Sequence, residues 1–328
     1  MTVKLCVCHS LAEIGPAERW SALRARAPAS ITASRPWLSA AAATTDRCAR
    51  PHLLTVQDDE RLLGLLALTV KQHDDRVRVQ FAGCPNNDLS DLLAEPGHEA
   101  IVGELIVAEL ARIVARGWSI SLTSVDPDGL LHRTASRTGL LSWTSDGCAP
   151  TVDLRGPWRE AASRARRAQW DRRMRALTKI GPVELCRLEG DPLRKQLTTF
   201  LTLRAARRAV RGHQDLPPTA FLTHAVKELA PDGRCILMEL RVNGDTVASD
   251  LYLIEESVAL MWLRGLNPSW ERFSCGHLLL RASADAFERE GFDTLDMGRG
   301  DEPYKAYFGA QKRVLLHATA GAMTPGED

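Results

Sequence analysis

Residues 111–125, ARIVARGWSISLTSV, and residues 284–298, ADAFEREGFDTLDMG, run through the same local grammar: a helical period, one glycine, then an alternating strand. Each is preceded by three strand-like runs. In the first half these are HLLTV (52–56), RLLGLLALTV (61–70) and RVRVQFAG (76–83). In the second they are CILMELRV (235–242), TVASDLYLIEE (246–256) and SVALMWLRG (257–265). Period-2 alternation marks a half-buried strand, and a 3.6-residue period ending in glycine marks a helix and its stop. A repeated β-β-β-α-β order predicts an internal duplication of one α/β unit, each copy with a mixed, mostly antiparallel sheet flanked by helices.

The DLRGP stretch (153–157) between the halves reads as a linker, so the expected domains are 1–152 and 153–328. A chain of 328 residues is long enough for two such cores. Its 42 basic and 41 acidic residues leave a net charge of +1, which excludes a nucleic-acid coat over the whole surface. The eight cysteines form no CxxC pair and no Cys/His cluster at zinc spacing, which predicts reduced thiols, no metal and a cytoplasmic location. With no cleavable leader and no run of 18 apolar residues, neither secretion nor membrane insertion is expected.

Three segments carry candidate chemistry. NPSWERFSCGHLLLRASADAF joins a strand to a helix that starts near Ser274, Cys275 and Gly276. Free N–H groups at a helix N-terminus attract phosphate, Gly276 permits close backbone approach, and Arg272 adds charge. The alternative is that Ser274 merely caps the helix. The matching loop of the first half, residues 83–102, carries four acids (Asp88, Asp91, Glu95, Glu99) and no Lys or Arg, so the anionic cofactor is expected in the second half. DMGRGDEPYK (296–305) then gathers Asp296, Arg299, Asp301, Glu302, Tyr304 and Lys305 around two glycines at a strand's C-terminal end. The alternative there is a solvated acidic turn. Finally, residues 155–179 hold eight arginines and one lysine against two acids, either a phosphate-binding helix or a solvated face.

On these residues the chain resembles the CelD-like (cellulose-biosynthesis-associated) acetyltransferases, a tandem GNAT architecture related to the FemAB-type aminoacyltransferases. The resemblance rests on PWLSAAA (36–42), NNDLSDLLAEPG (86–97), SRARRAQWDRRMRALTKIGPVEL (163–185) and above all SCGHLLLRASADAFEREGFDTLDMGRGDEPYKAYFG (274–309). It covers most of the chain. One departure is that RFSCGH supplies Arg272 and Gly276 at a spacing other than the usual Arg/Gln-x-x-Gly-x-Gly/Ala loop.

The resemblance implies transfer of an acyl group from acetyl-CoA or another acyl-CoA to an amine of a small-molecule, saccharide or peptide acceptor, by direct attack. Arg272, Ser274, Cys275, Gly276 and His277 are then expected to bind the donor. A free alkyl amine is mostly protonated near pH 7, so a carboxylate must take its proton; Asp296 is the first candidate and Asp250 the second. Tyr304 is expected to protonate the leaving thiolate. Lys305 is placed with these catalytic residues, and Arg299, Glu302, Trp262 and Trp270 are expected to line the substrate cleft. Cys275 as a nucleophile would need a lowered pKa and a supporting His-Asp pair, which the sequence does not position. The alternatives are a FemAB-like enzyme drawing on aminoacyl-tRNA, with residues 159–179 as its RNA footprint, and an inactive binding module. The first half is expected to act as scaffold or acceptor wall in a monomer or weak homodimer.

Overall fold

The computed structural model describes residues 2–27, 30–46, 48–59, 61–74, 76–210 and 219–321. The chain divides into two compact units, one running to Gly147 and resuming at Val314, the other spanning Cys148–Arg313. The division therefore falls five residues ahead of the expected linker. The last strand also returns to the first unit instead of ending the second.

In the first unit β1 (Val3–Cys8) is followed by α1 (Ala17–Arg24) and α2 (Arg35–Ala43). Strands β2 (Ala49–Asp58), β3 (Arg61–His73) and β4 (Arg76–Phe81) form the antiparallel run, with the short β5 (Leu93–Ala94) on β3. Helix α3 (Glu99–Ala115) crosses to β6 (Ser119–Val125), which pairs parallel with β4. After α4 (Leu130–Ala135), β7 (Ser142–Asp153) carries the chain into the second unit.

The second unit contains α5 (Arg164–Thr178), β8 (Val183–Leu188), α6 (Gly190–Val210) and α7 (Thr219–Leu229). Then β9 (Cys235–Val242), β10 (Asp245–Glu255) and β11 (Val258–Leu266) pair antiparallel; α8 (Cys275–Arg289) crosses to β12 (Thr294–Asp296), parallel to β11. The sheet is extended by β8 on β9 and β7 on β12. The final β13 (Gln311–Ala320) pairs with β6 of the first unit. Three antiparallel strands, a crossing helix and a strand parallel to the third thus occur in both units, as a duplication predicts.

The crossing helix of the second unit is held by its apolar face. Leu279, Leu280 and Phe287 are fully buried, and Phe287 meets Tyr252 of β10 edge to face at 4.9 Å. Each such side chain contributes about 1.5–3 kcal/mol of burial free energy, which fixes the helix start relative to the sheet. Pairing of β11 with β12 stops at Leu260↔Asp296, while β11 continues to Leu266. That opening, together with the α8 N-terminus, defines where a ligand can enter.

Candidate active site

The loop between β11 and α8 folds as a short 3-10 turn, Pro268–Phe273, opened by Asn267, whose side chain accepts the Ser269 N–H. It ends at Ser274, held in the left-handed region at φ 51°. Ser274 makes no side-chain cap hydrogen bond, so the simple capping role does not occur. Its carbonyl instead accepts the His277 N–H at 2.9 Å, and the first N–H groups of α8, at Cys275 and Gly276, are left without an acceptor inside the helix.

These residues line a cleft of about 240 Å³. Arg207 and Val210 at the end of α6, Arg264 and Leu266 of β11, Trp270 and Glu271 of the loop, and Tyr304 complete most of its wall. A Cβ on Gly276 would stand 3.0 Å from Leu266, close enough to require a small shift of that side chain, and 3.5 Å from a terminal nitrogen of Arg264, so glycine here leaves the approach to the helix start open.

Arg264 organises the floor. It lies opposite Asp250 in the β10–β11 register, and its Nε and one terminal nitrogen each donate to an Asp250 oxygen at 2.6 Å. Burial opposes its charge, but the buried Asp250 carboxylate more than offsets this, and the guanidinium pKa is raised. The other terminal nitrogen lies beside Gly276 and makes no hydrogen bond among the described residues.

Two aromatic rings flank it. The Arg264 guanidinium lies 5.6 Å from the Tyr304 ring centroid, and His277 stacks on Tyr304 at 5.3 Å. Burial raises the Tyr304 pKa, so its hydroxyl stays protonated. Burial, followed by the charges of Arg264, Arg173 and Arg166, lowers the His277 pKa to about 4. The His277 Nδ1 is buried and makes no hydrogen bond among the described residues. The cleft thus offers backbone N–H groups, a guanidinium, a neutral imidazole and a phenol; among the described lining residues Glu271 is the only carboxylate. Groups of this kind are the ones that hydrogen-bond to oxyanions.

Several expected roles change on this geometry. Arg272 does not line the cleft; its guanidinium stands over the Phe273 ring at 4.7 Å. Asp250 does not present a free base, because both oxygens are bound to Arg264. The Asp296 carboxylate accepts the Gly298 N–H at 2.9 Å and Arg313 at 2.5 Å, and it lies outside the cleft lining. Lys305 is 3 % exposed and gives its ammonium protons to the carbonyls of Gly298, Arg299 and Gly300. Glu302 faces that ammonium at 3.0 Å. Arg299 is exposed and Trp262 packs edge to face on Phe221 of α7; neither lines the cleft, whereas Trp270 does. Burial pushes the Cys275 thiol up to about 11, the reverse of what a nucleophile requires. The residues not anticipated are Arg264, Arg207 and Glu271.

In the first unit the acids of the loop before α3, the counterpart of α8, are engaged by their own chain. Glu99 takes the Gly97 N–H at 2.7 Å, and buried Glu95 pairs with Arg26 and Arg61. Asp91 accepts the N–H groups of Leu130 and Leu131 at 2.8 Å. Three of the four acids of that loop therefore bind local structure. Among the described residues no group of three or more His, Cys, Asp or Glu is arranged to hold a metal ion. No helix among them is long and apolar enough to cross a membrane.

Comparison with known proteins finds a likeness over the stretch that holds this cleft. Residues 164–306, which contain every cleft-lining residue, match the acetyltransferase (GNAT) domain model. That stretch, less than half of the chain, is therefore similar to an acetyltransferase domain of the GNAT type. No curated protein matches the chain. Among solved structures, FemX superposes with a TM-score of 0.65 at 12% identity, covering 97% of each chain. The C-terminal DUF2156 domain of a putative lysylphosphatidylglycerol synthetase from Agrobacterium fabrum gives 0.64 at 12% identity, over 95% of this chain and 93% of that one. A tandem GNAT protein from the clavulanic acid biosynthesis pathway gives 0.53 at 14% identity, over 98% and 100%. At these identities the likeness is one of fold.

Proposed function

We infer that the second unit transfers an acyl group from an acyl-CoA to an amine of a polar acceptor, a small molecule, saccharide or peptide, as in the CelD-like branch of this fold. The observation that carries the reading is the donor-rich cleft at the α8 N-terminus, walled by Gly276 and the buried Arg264–Asp250 pair. The residues fit a phosphate-bearing carrier. The N–H groups of Cys275 and Gly276 and the terminal nitrogen of Arg264 that Asp250 does not take are its holders, with the His277 ring beside them, and the missing side chain at Gly276 leaves space for it. Once bound, an acyl thioester supplies the activated carbonyl.

The chain's own contribution is positional and protonic. The helix dipole and Arg264 hold the anion. Backbone groups of β11 beyond Leu260, freed where β12 ends, are available to polarise the carbonyl oxygen. Tyr304 holds its proton at neutral pH and donates it to the leaving sulfur. Glu271, on the open rim, receives the amine proton. The first unit serves as scaffold or acceptor wall.

The test is a thermal-shift titration with acetyl-CoA, longer acyl-CoAs and free CoA. A ligand at about 100 times its Kd stabilises by about 2.7 kcal/mol, enough to move the melting temperature by several degrees. The reading requires a shift that Gly276→Asp abolishes; no shift with any thioester removes CoA as the donor.

One observation favours aminoacyl-tRNA as the alternative donor. Arg164, Arg172, Arg175 and Lys179 lie exposed along α5, with no side-chain partner among the described residues, over about 22 Å of helix. A cation stripe of this kind suits a phosphate backbone. Binding of tRNA that weakens steeply between 50 and 200 mM salt, and is lost on Arg172→Glu with Arg175→Glu, is the signature of that donor.

A further inference from the structure

Lys305 is a buried ammonium that the proposed chemistry does not use. It is 3 % exposed, on the 3-10 turn Pro303–Phe308. Its Nζ donates to three successive carbonyls, Gly298 at 2.9 Å, Arg299 at 3.0 Å and Gly300 at 2.9 Å. An ammonium has three protons, so its donor capacity is filled. Glu302 sits 3.0 Å away and acts by charge, its Oε2 being buried without a hydrogen bond. Three carbonyl oxygens converging on one point, with a carboxylate behind them, are the donor set of a cation site.

We propose that the Gly298–Gly300 loop is a cation-binding loop whose cation is the chain's own Lys305, and that Lys305 is a positioning residue that sets Tyr304 against the cleft. The loop requires backbone freedom at both ends, and Gly298 and Gly300 adopt φ of 68° and 111°. Its outer anchors are equally specific. The Gly298 N–H is held by Asp296, and the Gly300 N–H by the Cys148 carbonyl at 2.9 Å. The lysine N–H returns to the Glu302 carbonyl at 3.0 Å, closing the turn that presents Tyr304. On the far side, Phe308 stacks on Trp170 of α5 at 5.2 Å. Tyr304 is thus gripped on both sides, and it meets His277 in a stack instead of turning freely.

The test removes the tethered cation and offers it back. Lys305→Ala deletes the atoms of n-propylamine. The variant is expected to melt roughly 6–12 °C lower, since it strands three carbonyls that lose charged hydrogen bonds. Millimolar n-propylammonium is expected to restore at least half of that loss, and n-propanol none. The inference rests on the acyl-CoA reading for one readout only, the affinity for acetyl-CoA. That affinity is expected to fall about tenfold in the variant and to return with n-propylammonium. Rescue of melting without any thioester binding would sink the donor assignment and leave the cation loop standing. Failure of n-propylammonium where thioester still binds would overturn the cation loop.

Should Lys305→Ala not fold, the wild-type protein supplies the answer through acetic anhydride labelling read by mass spectrometry. Lys305 is expected to be the slowest of the seven lysines to react. Acetylation as fast as that of Lys312, whose side chain is 62% exposed, would show a free amine and end the proposal.

Discussion

Arg264 and Asp250 face each other across β11 and β10, joined by two hydrogen bonds of 2.6 Å, with the carboxylate wholly buried and the guanidinium 6% exposed. A buried ion pair of this geometry adds little net stability, because desolvation consumes most of the attraction. Its value is directional: Asp250 uses two of the guanidinium nitrogens and leaves the third for the cleft. On the proposed reading, that third nitrogen is what holds the donor's anion.

Breaking one side of the pair is therefore expected to cost more than removing both. Asp250→Asn should destabilise the protein by about 3–5 kcal/mol, leaving an uncompensated cation. The double variant Asp250→Leu with Arg264→Met should recover most of that loss yet bind the acyl donor at least tenfold more weakly. Urea unfolding and donor titration on the three proteins check this, and a double variant with intact donor affinity would remove Arg264 from the site.

His277 predicts a pH dependence. Its pKa in the folded chain is lowered to about 4 from an ordinary 6.5, so between these values the unfolded chain binds more protons than the folded one. Stability should be full above pH 6.5 and fall as the pH drops toward 4. His52, buried in the first unit and also lowered to about 4, contributes with the same sign. Unfolding free energies measured at pH 7.5 and 5 should differ less in His277→Phe than in the wild type, and less again when His52→Phe is added. Donor affinity should stay flat from pH 6 to 8, since His277 is neutral throughout.

How much of this was legible in the sequence depends on the element. The duplicated β-β-β-α-β order was, because glycine stops and alternation are local signals; β9 matches its expected span of 235–242 residue for residue. Helices α6 and α7 were not assigned. In α6 the buried residues Leu193, Leu197, Phe200 and Leu203 lie among five cationic side chains, which dilute the period. At the α8 start the sequence leaves two readings, a phosphate site and a plain Ser274 cap, and the geometry removes the side-chain cap. The Asp250–Arg264 pairing was hidden by a bulge. Tyr252 faces Met261, but Leu251 faces Leu263, so Trp262 is an extra residue. A hairpin without it would set Asp250 opposite Leu263. Lys305 was misjudged because a sequence gives proximity to charge but not the direction in which a long side chain folds back.

Cys275 offers a clean negative. Burial raises its thiol to about 11, so the thiolate is scarce at neutral pH. Iodoacetamide at pH 8 should label the exposed Cys48 well before Cys275. Cys275→Ala should keep acyl transfer within about threefold of the wild type, whereas a trapped acyl-cysteine at this position would demand a covalent route.

Tyr304 carries the most demanding prediction, because it joins structure to chemistry through one oxygen. Phenylalanine keeps the stack on His277 and the contact with Arg264, so Tyr304→Phe should melt within about 2 °C of the wild type. What it loses is a proton held by burial well into the alkaline range. If that proton reaches the leaving sulfur in the transition state, kcat should fall roughly 10²–10⁴-fold with the KM for the thioester changed less than threefold. A loss confined to KM would instead make Tyr304 a wall of the donor site, and Glu271→Gln would then be the variant that separates proton transfer from binding. The leaving group discriminates further. Donors with more acidic thiols need less protonation, so the defect of Tyr304→Phe should shrink as the thiol pKa falls, and a defect of constant size along that series would place the proton elsewhere.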